Sequence, residues 1–224
     1  NSYLDRFGMN KRLGVDFPNE KAGNYPTSEY YNDWFNRQQE GQKWKSVWIR
    51  SLAIGQGELL TTNLQLANMA AILANRGYYK IPHLVRGTIE RDGKVKKFSK
   101  FQEAIDVGID TEHFTPIVDG MERVVTAGTA RGAYTPGISI CGKTGTAENN
   151  QGDGKDHSIF FAFAPKDDPQ IAVAVYVENG GWGGTYAAPI TSLVIEKYIN
   201  GDIQPGRKYL EDRMKKANLL IKKP

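Results

Sequence analysis

Two runs of β-forming residues joined by a short turn constrain the fold of this chain more than any other feature. The first run covers residues 158–164, with sequence SIFFAFA, and Pro165 closes it. The second run covers residues 170–178, with sequence QIAVAVYVE, and polar residues 166–169 separate the two. A parallel pair would need a crossover of a dozen residues or more, so this spacing predicts an antiparallel hairpin.

The second run carries apolar residues on both faces. Side chains alternate along a strand, so one face holds Ile171, Val173, Val175 and Val177 and the other holds Ala172, Ala174 and Tyr176. The small alanines let a helix approach closely, and residues 187–199 can supply it, with Pro189 in the first turn. Its predicted apolar stripe consists of Ile190, Leu193, Val194 and Ile199. We therefore predict an α+β fold: an antiparallel sheet with helices on both faces.

Two further segments have helical signals. Residues 61–76 begin with Thr62 as N-cap and Gln65 completing a capping box, and Gly77 is the predicted stop. The predicted core stripe of this helix is Leu66, Ala70 and Leu73. Residues 111–127 carry apolar side chains at helical spacing, namely Phe114, Ile117, Val118, Met121, Val124 and Val125. Both segments are predicted to be core helices.

Residues 137–144 match the phosphate-loop pattern of nucleotide-binding proteins, ending in Gly142-Lys143-Thr144. That loop needs a strand before it and a helix after it, but residues 131–136 indicate a turn and residues 145–154 are poor helix formers. The alternating apolar residues lie inside the motif instead. We therefore predict a strand over residues 138–147, and a helix over residues 145–156 would favour the nucleotide-binding alternative.

The Lys143-Thr144-Gly145 triplet resembles the third motif of penicillin-binding transpeptidases and serine β-lactamases. The surrounding residues resemble class B penicillin-binding proteins, of the elongation type often called penicillin-binding protein 2, over about residues 45–200. The residues that carry this resemblance are Ile54-Gly55-Gln56-Gly57, Thr61, Gln65, Ala74-Asn75-Arg76-Gly77, Pro82, Gly128-Thr129-Ala130, Gly142 to Glu148, His157, Phe160, Phe163-Ala164-Pro165 and Glu178-Asn179-Gly180-Gly181.

Two motifs of that family are absent. No serine in the chain begins a Ser-x-x-Lys nucleophile motif or a Ser-x-Asn motif. We expect both to lie upstream, so that residues 1–204 form the C-terminal portion of a transpeptidase domain and residues 205–224 a basic, solvated tail. A non-catalytic envelope scaffold or peptidoglycan-binding homologue is the alternative.

The resemblance implies roles for the predicted strand. Lys143 would present positive charge to the serine and lysine network and to the substrate carboxylate. Thr144 and Thr146 would donate hydroxyl hydrogen bonds, and the N–H of Thr146 would complete the oxyanion hole. Gly145 would leave room for substrate backbone lying along the strand, with Ala147 on the same wall. Lys143 and Thr146 are therefore the predicted catalytic residues, and residues 144–147 the predicted substrate-binding residues.

The resemblance also implies a reaction and its setting. The activity would be a D,D-transpeptidase that cross-links peptidoglycan stem peptides ending in D-Ala-D-Ala through an acyl-enzyme and binds β-lactams. No metal or organic cofactor is implied. Expected partners are a membrane-embedded glycosyltransferase and elongation-complex proteins, at the periplasmic face of the bacterial inner membrane, with an anchoring segment outside this chain. A net charge of +4 is too mild to indicate nucleic-acid binding.

Three other features have plain structural interpretations. Cys141 lies in an apolar run and is predicted to be a buried thiol. His157 precedes a strand and could be catalytic, but no carboxylate motif lies beside it, so a structural role is predicted. Residues 16–48 are rich in Tyr and Trp; such a loop could bind glycan, but we expect its rings mainly to pin an irregular loop onto the domain.

Overall fold

The computed structural model describes residues 2–38, 43–149 and 155–220. The chain forms two compact units, one of residues 1–65 and 80–107 and the other of residues 66–79 and 108–224. The helices are α1 (Ser2–Arg6), α2 (Ser28–Gln38), α3 (Asn63–Ala74), α4 (Phe114–Thr126), α5 (Ala187–Asn200) and α6 (Lys208–Lys216). The strands are β1 (Tyr78–Tyr79), β2 (Gly87–Ile89), β3 (Val95–Lys97), β4 (Ile105–Asp106), β5 (Cys141–Ala147), β6 (His157–Ala164) and β7 (Ile171–Val177). None of the described helices has both the length and the apolar character that a membrane crossing requires.

The central element of the second unit is an antiparallel sheet in the order β5-β6-β7. The hairpin predicted from the two β-forming runs is confirmed, with Phe161 opposite Ala174. In the same register, Lys143 of β5 lies opposite Phe161. Helix α5 packs on β6 and β7, and α4 packs on β5. This arrangement of helices on an antiparallel sheet is the predicted α+β class.

Helix α5 forms where the sequence indicated, but it packs through a different surface. It lies on the valine-bearing face of β7, and small side chains permit the close approach; these are Ala162 and Ala164 of the sheet and Ala187 and Ala188 of the helix. The prediction that α5 contacts the alanine-bearing face of β7 is therefore wrong. The predicted stripe is also wrong in part, because Val194 is 43% exposed whereas Thr191, Ser192 and Glu196 are buried.

A buried ion pair explains why α5 turns polar residues inward. Glu196 is fully buried and accepts a hydrogen bond of 2.8 Å from Nε of Arg207. The Arg207 guanidinium also donates to Ser192 Oγ at 2.7 Å and to the Tyr134 carbonyl oxygen. Leu210 of α6 is buried as well. The expectation of a solvated tail is therefore wrong up to α6, because Arg207 and Leu210 attach this segment to α5; residues 221–224 lie outside the described part of the chain.

Strand β5 begins at Cys141, so the predicted strand over residues 138–147 is wrong for its first three residues. Extending the register would place Ser139 opposite Pro165, which has no N–H to donate to a ladder. Ser139 Oγ instead accepts a hydrogen bond of 3.0 Å from the N–H of Lys166. Ile138 and Ile140 are nevertheless buried in the core beneath α5, and this burial accounts for their apolar character.

The two predicted core helices are confirmed with small changes. The Thr62 and Gln65 capping box is present, with Gln65 N–H to Thr62 Oγ1 at 3.2 Å and Thr62 N–H to Gln65 Oε1 at 3.0 Å. Residues 111–113 form a 3₁₀ turn before α4. Ile117 is 50% exposed, so its predicted place in the core is wrong.

The first unit contains a helix where an irregular loop was expected. Residues 28–38 form α2, and a 3₁₀ helix covers Ser46–Ile49. Tyr25, Tyr31 and Phe35 are buried, which supports the predicted packing role for these three rings. Gln65 adds a second anchor in this unit, since its Nε2 donates to the carbonyl oxygens of Gly8, Lys11 and Ala22.

Candidate active site

The candidate site is built on β5, the outer strand of the three-stranded sheet. Lys143 lies within this strand, and the strand continues to Ala147. The phosphate-loop alternative is therefore wrong, because its lysine would begin a helix. Residues 150–154, part of the segment that was to decide between these alternatives, lie outside the described residues.

Along β5, the backbone N–H and C=O groups of alternate residues point to the outer edge of the strand, away from β6. A Cβ built on Gly183 would lie within 2.6 Å of the Gly145 carbonyl oxygen and nearer still to that of Ile159. Both carbonyls therefore face the gap between β5 and β6, so Gly145 pairs with β6 through its backbone. The neighbouring residues, Thr144 and Thr146, must then direct their N–H and C=O groups away from β6. No other strand of the described sheet pairs with that edge.

The predicted site side chains gather along this edge. Lys143 is exposed, and its Nζ donates to the Thr144 carbonyl oxygen at 2.7 Å, so the ammonium group lies at the outer edge of β5. Thr144 and Thr146 extend from the opposite face of the strand, and both are partly exposed. The site therefore combines one cation, two hydroxyls and outward backbone groups along a single strand.

Thr129 lies beside the candidate site, and sequence reasoning gave it no role. Its Oγ1 lies 2.9 Å from Thr144 Oγ1, so one hydroxyl donates to the other. The available signal was the Gly128-Thr129-Ala130 triplet, which resembled the family but carried no indication of its neighbour in space. The contact restricts the direction of the Thr144 hydroxyl beside the candidate site.

The glycine-rich segment after β7 closes the site on the Thr144 face. Gly183 lies over the β5 and β6 backbones, as its proximity to two carbonyl oxygens requires. Ser158 anchors the segment, because its Oγ donates to the Trp182 carbonyl oxygen at 2.9 Å and accepts from the N–H of Ala187 at 3.1 Å. Only the Glu178 to Gly181 part was noted in the sequence, and without a role.

His157 has a structural role in the described fold. Its Nδ1 accepts a hydrogen bond of 3.1 Å from the N–H of Asn179, a residue with a positive φ of 56°. The ring also packs 5.2 Å from Tyr176. This geometry supports the structural prediction for His157.

Two titratable groups near the buried end of β5 have perturbed pKa values. Burial raises the pKa of the Cys141 thiol to about 12, which agrees with the predicted buried, unreactive thiol. Hydrogen bonds to Asp119, at 2.7 Å, and Glu122, at 2.8 Å, raise the pKa of Lys166 above its ordinary value. Within residues 2–38, 43–149 and 155–220, no group of His, Cys, Asp and Glu side chains has a geometry suited to a metal ion.

Residues 1–196 match the model of the penicillin binding protein transpeptidase domain. The chain therefore belongs to this family of transpeptidase domains. It is 37% identical to the peptidoglycan D,D-transpeptidase MrdA of Acinetobacter baumannii over 216 residues, covering 89% of this chain and 30% of that protein. The chain thus spans less than a third of the length of this relative.

Solved structures lead to the same family. PBP2 of Pseudomonas aeruginosa in complex with WCK 5153 is 33% identical, with a TM-score of 0.71, covering 91% of this chain and 43% of that one. PBP3 of Mycobacterium tuberculosis complexed with aztreonam is 26% identical, with a TM-score of 0.69, covering 91% and 46%. PBP2 of Helicobacter pylori in complex with MreC is 26% identical, with a TM-score of 0.68, covering 88% and 35%. The predicted similarity to PBP2-type proteins is confirmed.

Proposed function

We propose that this chain supplies one wall of the active site of a serine D,D-transpeptidase that cross-links peptidoglycan stem peptides. The observation that carries the proposal is the outer edge of β5, where Lys143 and the outward backbone groups of Thr144 and Thr146 lie together. An exposed strand edge binds an extended peptide by adding it as a further strand. A stem peptide ending in D-Ala-D-Ala is such a ligand, with a terminal carboxylate.

The side chains of β5 contact different groups of this ligand. The Lys143 ammonium attracts the substrate carboxylate and stabilises negative charge in the serine and lysine network. Thr144 and Thr146 donate hydroxyl hydrogen bonds to the carboxylate. Thr129 acts through Thr144: by accepting or donating the 2.9 Å hydrogen bond, it restricts the direction in which the Thr144 hydroxyl points.

The backbone of β5 contributes to acyl transfer. The N–H of Thr146 points to the outer edge, where it would donate to the oxyanion of the tetrahedral intermediate. One such donor lowers the barrier by roughly 3–4 kcal/mol. The nucleophilic serine attacks the D-Ala-D-Ala carbonyl, the C–N bond breaks, and the terminal D-Ala leaves as the amine. An amine of a neighbouring stem peptide then attacks the acyl-enzyme ester and releases the serine.

The nucleophile and its lysine are proposed to come from a segment outside this chain, because no serine here begins a Ser-x-x-Lys motif. β-Lactams would acylate the same serine, and their acidic group would occupy the carboxylate position beside Thr146. The relative solved with aztreonam, a β-lactam, supports this ligand class. No cofactor is assigned a step in this reaction.

The proposed setting is the periplasmic face of the bacterial inner membrane, with the anchor outside this chain. A PBP2 has been solved in complex with MreC, and this supports elongation-complex proteins as partners here. A membrane-embedded glycosyltransferase, which would supply the glycan strands, is the other proposed partner. A stem peptide, rather than nucleic acid, is the proposed substrate.

Labelling with a fluorescent penicillin tests the proposal. The 224-residue chain is expected to form no covalent adduct, whereas a version extended upstream through Ser-x-x-Lys is expected to label. A serine-to-alanine change at that motif in the extended version is the matched control and should abolish labelling. Covalent labelling of the 224-residue chain, or no labelling of a folded extended version, would contradict the proposal.

A further inference from the structure

Helix α2 presents two aromatic and two charged side chains on one outward face. Tyr30, Asp33, Trp34 and Arg37 are three or four residues apart, so they are neighbours on the helix surface. They line a shallow cavity of about 170 Å³. Trp34 is 40% exposed even though its neighbour Phe35 is buried. We call these four side chains the α2 platform.

The two rings of the α2 platform pack against buried aromatic neighbours. Tyr30 packs edge-on against Tyr31, with centroids 5.4 Å apart, and Trp34 packs edge-on against Phe35 at 4.9 Å. Tyr31 and Phe35 are 4% and 2% exposed, and the Tyr31 hydroxyl donates to Glu58 Oε2 at 2.7 Å. Rings held by buried neighbours lose little conformational freedom on binding, so the platform is preorganised.

Asp33 and Arg37, the charged members of the platform, can form further hydrogen bonds with a ligand. Arg37 Nη2 lies 3.8 Å from Asp33 Oδ2, and the two side chains are 76% and 67% exposed. Such an exposed pair contributes little to stability. The carboxylate accepts hydrogen bonds and the guanidinium donates several, and both lie beside the Tyr30 and Trp34 rings.

We propose that the α2 platform binds sugar rings of the peptidoglycan glycan strand. The C–H face of a pyranose is apolar and packs on an aromatic ring, while its hydroxyl and acetamide groups exchange hydrogen bonds with a carboxylate and a guanidinium. A cavity of about 170 Å³ is below the size of pockets that enclose drug-sized ligands, and it fits one ring lying on an open surface. The proposal rests on the proposed function, which makes a glycan-linked peptide the substrate.

A protein partner fits this surface less well. Protein interfaces are depleted of Asp, although Arg is enriched in them, and a standard interface buries about 800 Å² on each partner. Here Asp33 lies on the same small face as the rings, and four side chains line the cavity. A sugar ring fits this combination of aromatic and charged side chains, because it exposes both an apolar face and polar edges.

Calorimetric titration of the full chain with a peptide-free, β-1,4-linked N-acetylglucosamine tetrasaccharide tests the proposal. Wild type is expected to show saturable binding. Trp34→Ala should weaken it about tenfold, the size of one lost aromatic contact. Arg37→Ala should weaken it as well, and Trp34→Phe should retain most of it. The control is Tyr209→Ala, which removes a ring that is 69% exposed on α6 and should leave binding unchanged.

Several outcomes would overturn the inference. These are no saturable binding to wild type, equal affinity in folded Trp34→Ala and Arg37→Ala variants, or binding of a sugar-free stem peptide that these variants abolish. Circular dichroism of each variant establishes that it is folded, and Arg37→Ala keeps the test decisive if Trp34→Ala unfolds. Penicillin labelling of the extended enzyme should be unaffected by either variant, so failure of glycan binding and failure of the proposed acyl transfer are distinguishable.

Discussion

Replacing Gly145 by alanine is expected to change the acylation rate without changing the stability of the fold. A Cβ at this position would meet Ile159 Cβ at 3.4 Å, an ordinary van der Waals contact, and no backbone atom is as near. Glycine in a strand is itself destabilising by roughly 0.5–1 kcal/mol relative to alanine. We therefore expect Gly145→Ala to change the free energy of unfolding by less than about 1 kcal/mol.

Gly183→Ala is the matched control, because the fold itself requires glycine there. The new methyl group would lie within 2.6 Å of the Gly145 carbonyl oxygen and nearer to that of Ile159, both fixed in the β5–β6 ladder. Overpacking of this kind costs about 1–3 kcal/mol or more. Gly183→Ala should therefore lower stability clearly, whereas Gly145→Ala should not.

The two variants are compared by urea unfolding and, in the extended enzyme, by the rate of acylation with a fluorescent penicillin. If the ligand covers the face of β5 from which Lys143 and residue 145 project, the methyl group of Gly145→Ala intrudes on it, and acylation should slow at least about tenfold, or 1.4 kcal/mol of barrier. Wild-type acylation by a stable Gly145→Ala variant would refute the docking of substrate along this strand. Unfolding of Gly145→Ala would refute the steric argument.

Two further predictions concern the supports of the site. Arg207→Met should destabilise the chain by about 3–5 kcal/mol, because it leaves the buried Glu196 carboxylate without its charged partner. In urea unfolding, the double variant with Glu196→Leu should recover much of this loss. Additive losses in the double variant would contradict the account. Iodoacetamide should react slowly with Cys141 in the native state and rapidly after unfolding, because burial raises its pKa to about 12. The folded state retains this proton above the ordinary pKa of 9.0, so stability should fall as pH rises from 9 toward 12, and less steeply in Cys141→Ala.

The sheet of the second unit could be predicted from sequence because its determinants are local. Pro165 ends β6, the polar residues after it form the turn, and alternation assigns the faces of β7. The same alternation placed Lys143 in a strand rather than at a helix start. Here the hairpin and the identity of the site strand follow from residues adjacent in the chain.

The remaining features depend on residues distant in sequence. Glu196 turns inward on α5 because Arg207 reaches it, and no periodicity of α5 itself contains that partner. The contact between Thr129 and Thr144 likewise joins two segments that only the folded chain brings together. The start of β5 was misplaced because Ile138 and Ile140 are apolar for the core beneath α5, and apolar alternation alone does not distinguish this from a strand.

The acylation rate of Lys143→Ala in the extended enzyme tests the central claim most directly. The exposed Lys143 side chain can be removed without creating a core cavity, so urea unfolding should be close to wild type. The account predicts that the second-order rate constant for a fluorescent penicillin falls by about 100-fold or more, the size of a lost electrostatic contact in an active site. A folded Lys143→Ala enzyme that acylates at the wild-type rate would contradict the assignment of β5 as the catalytic wall.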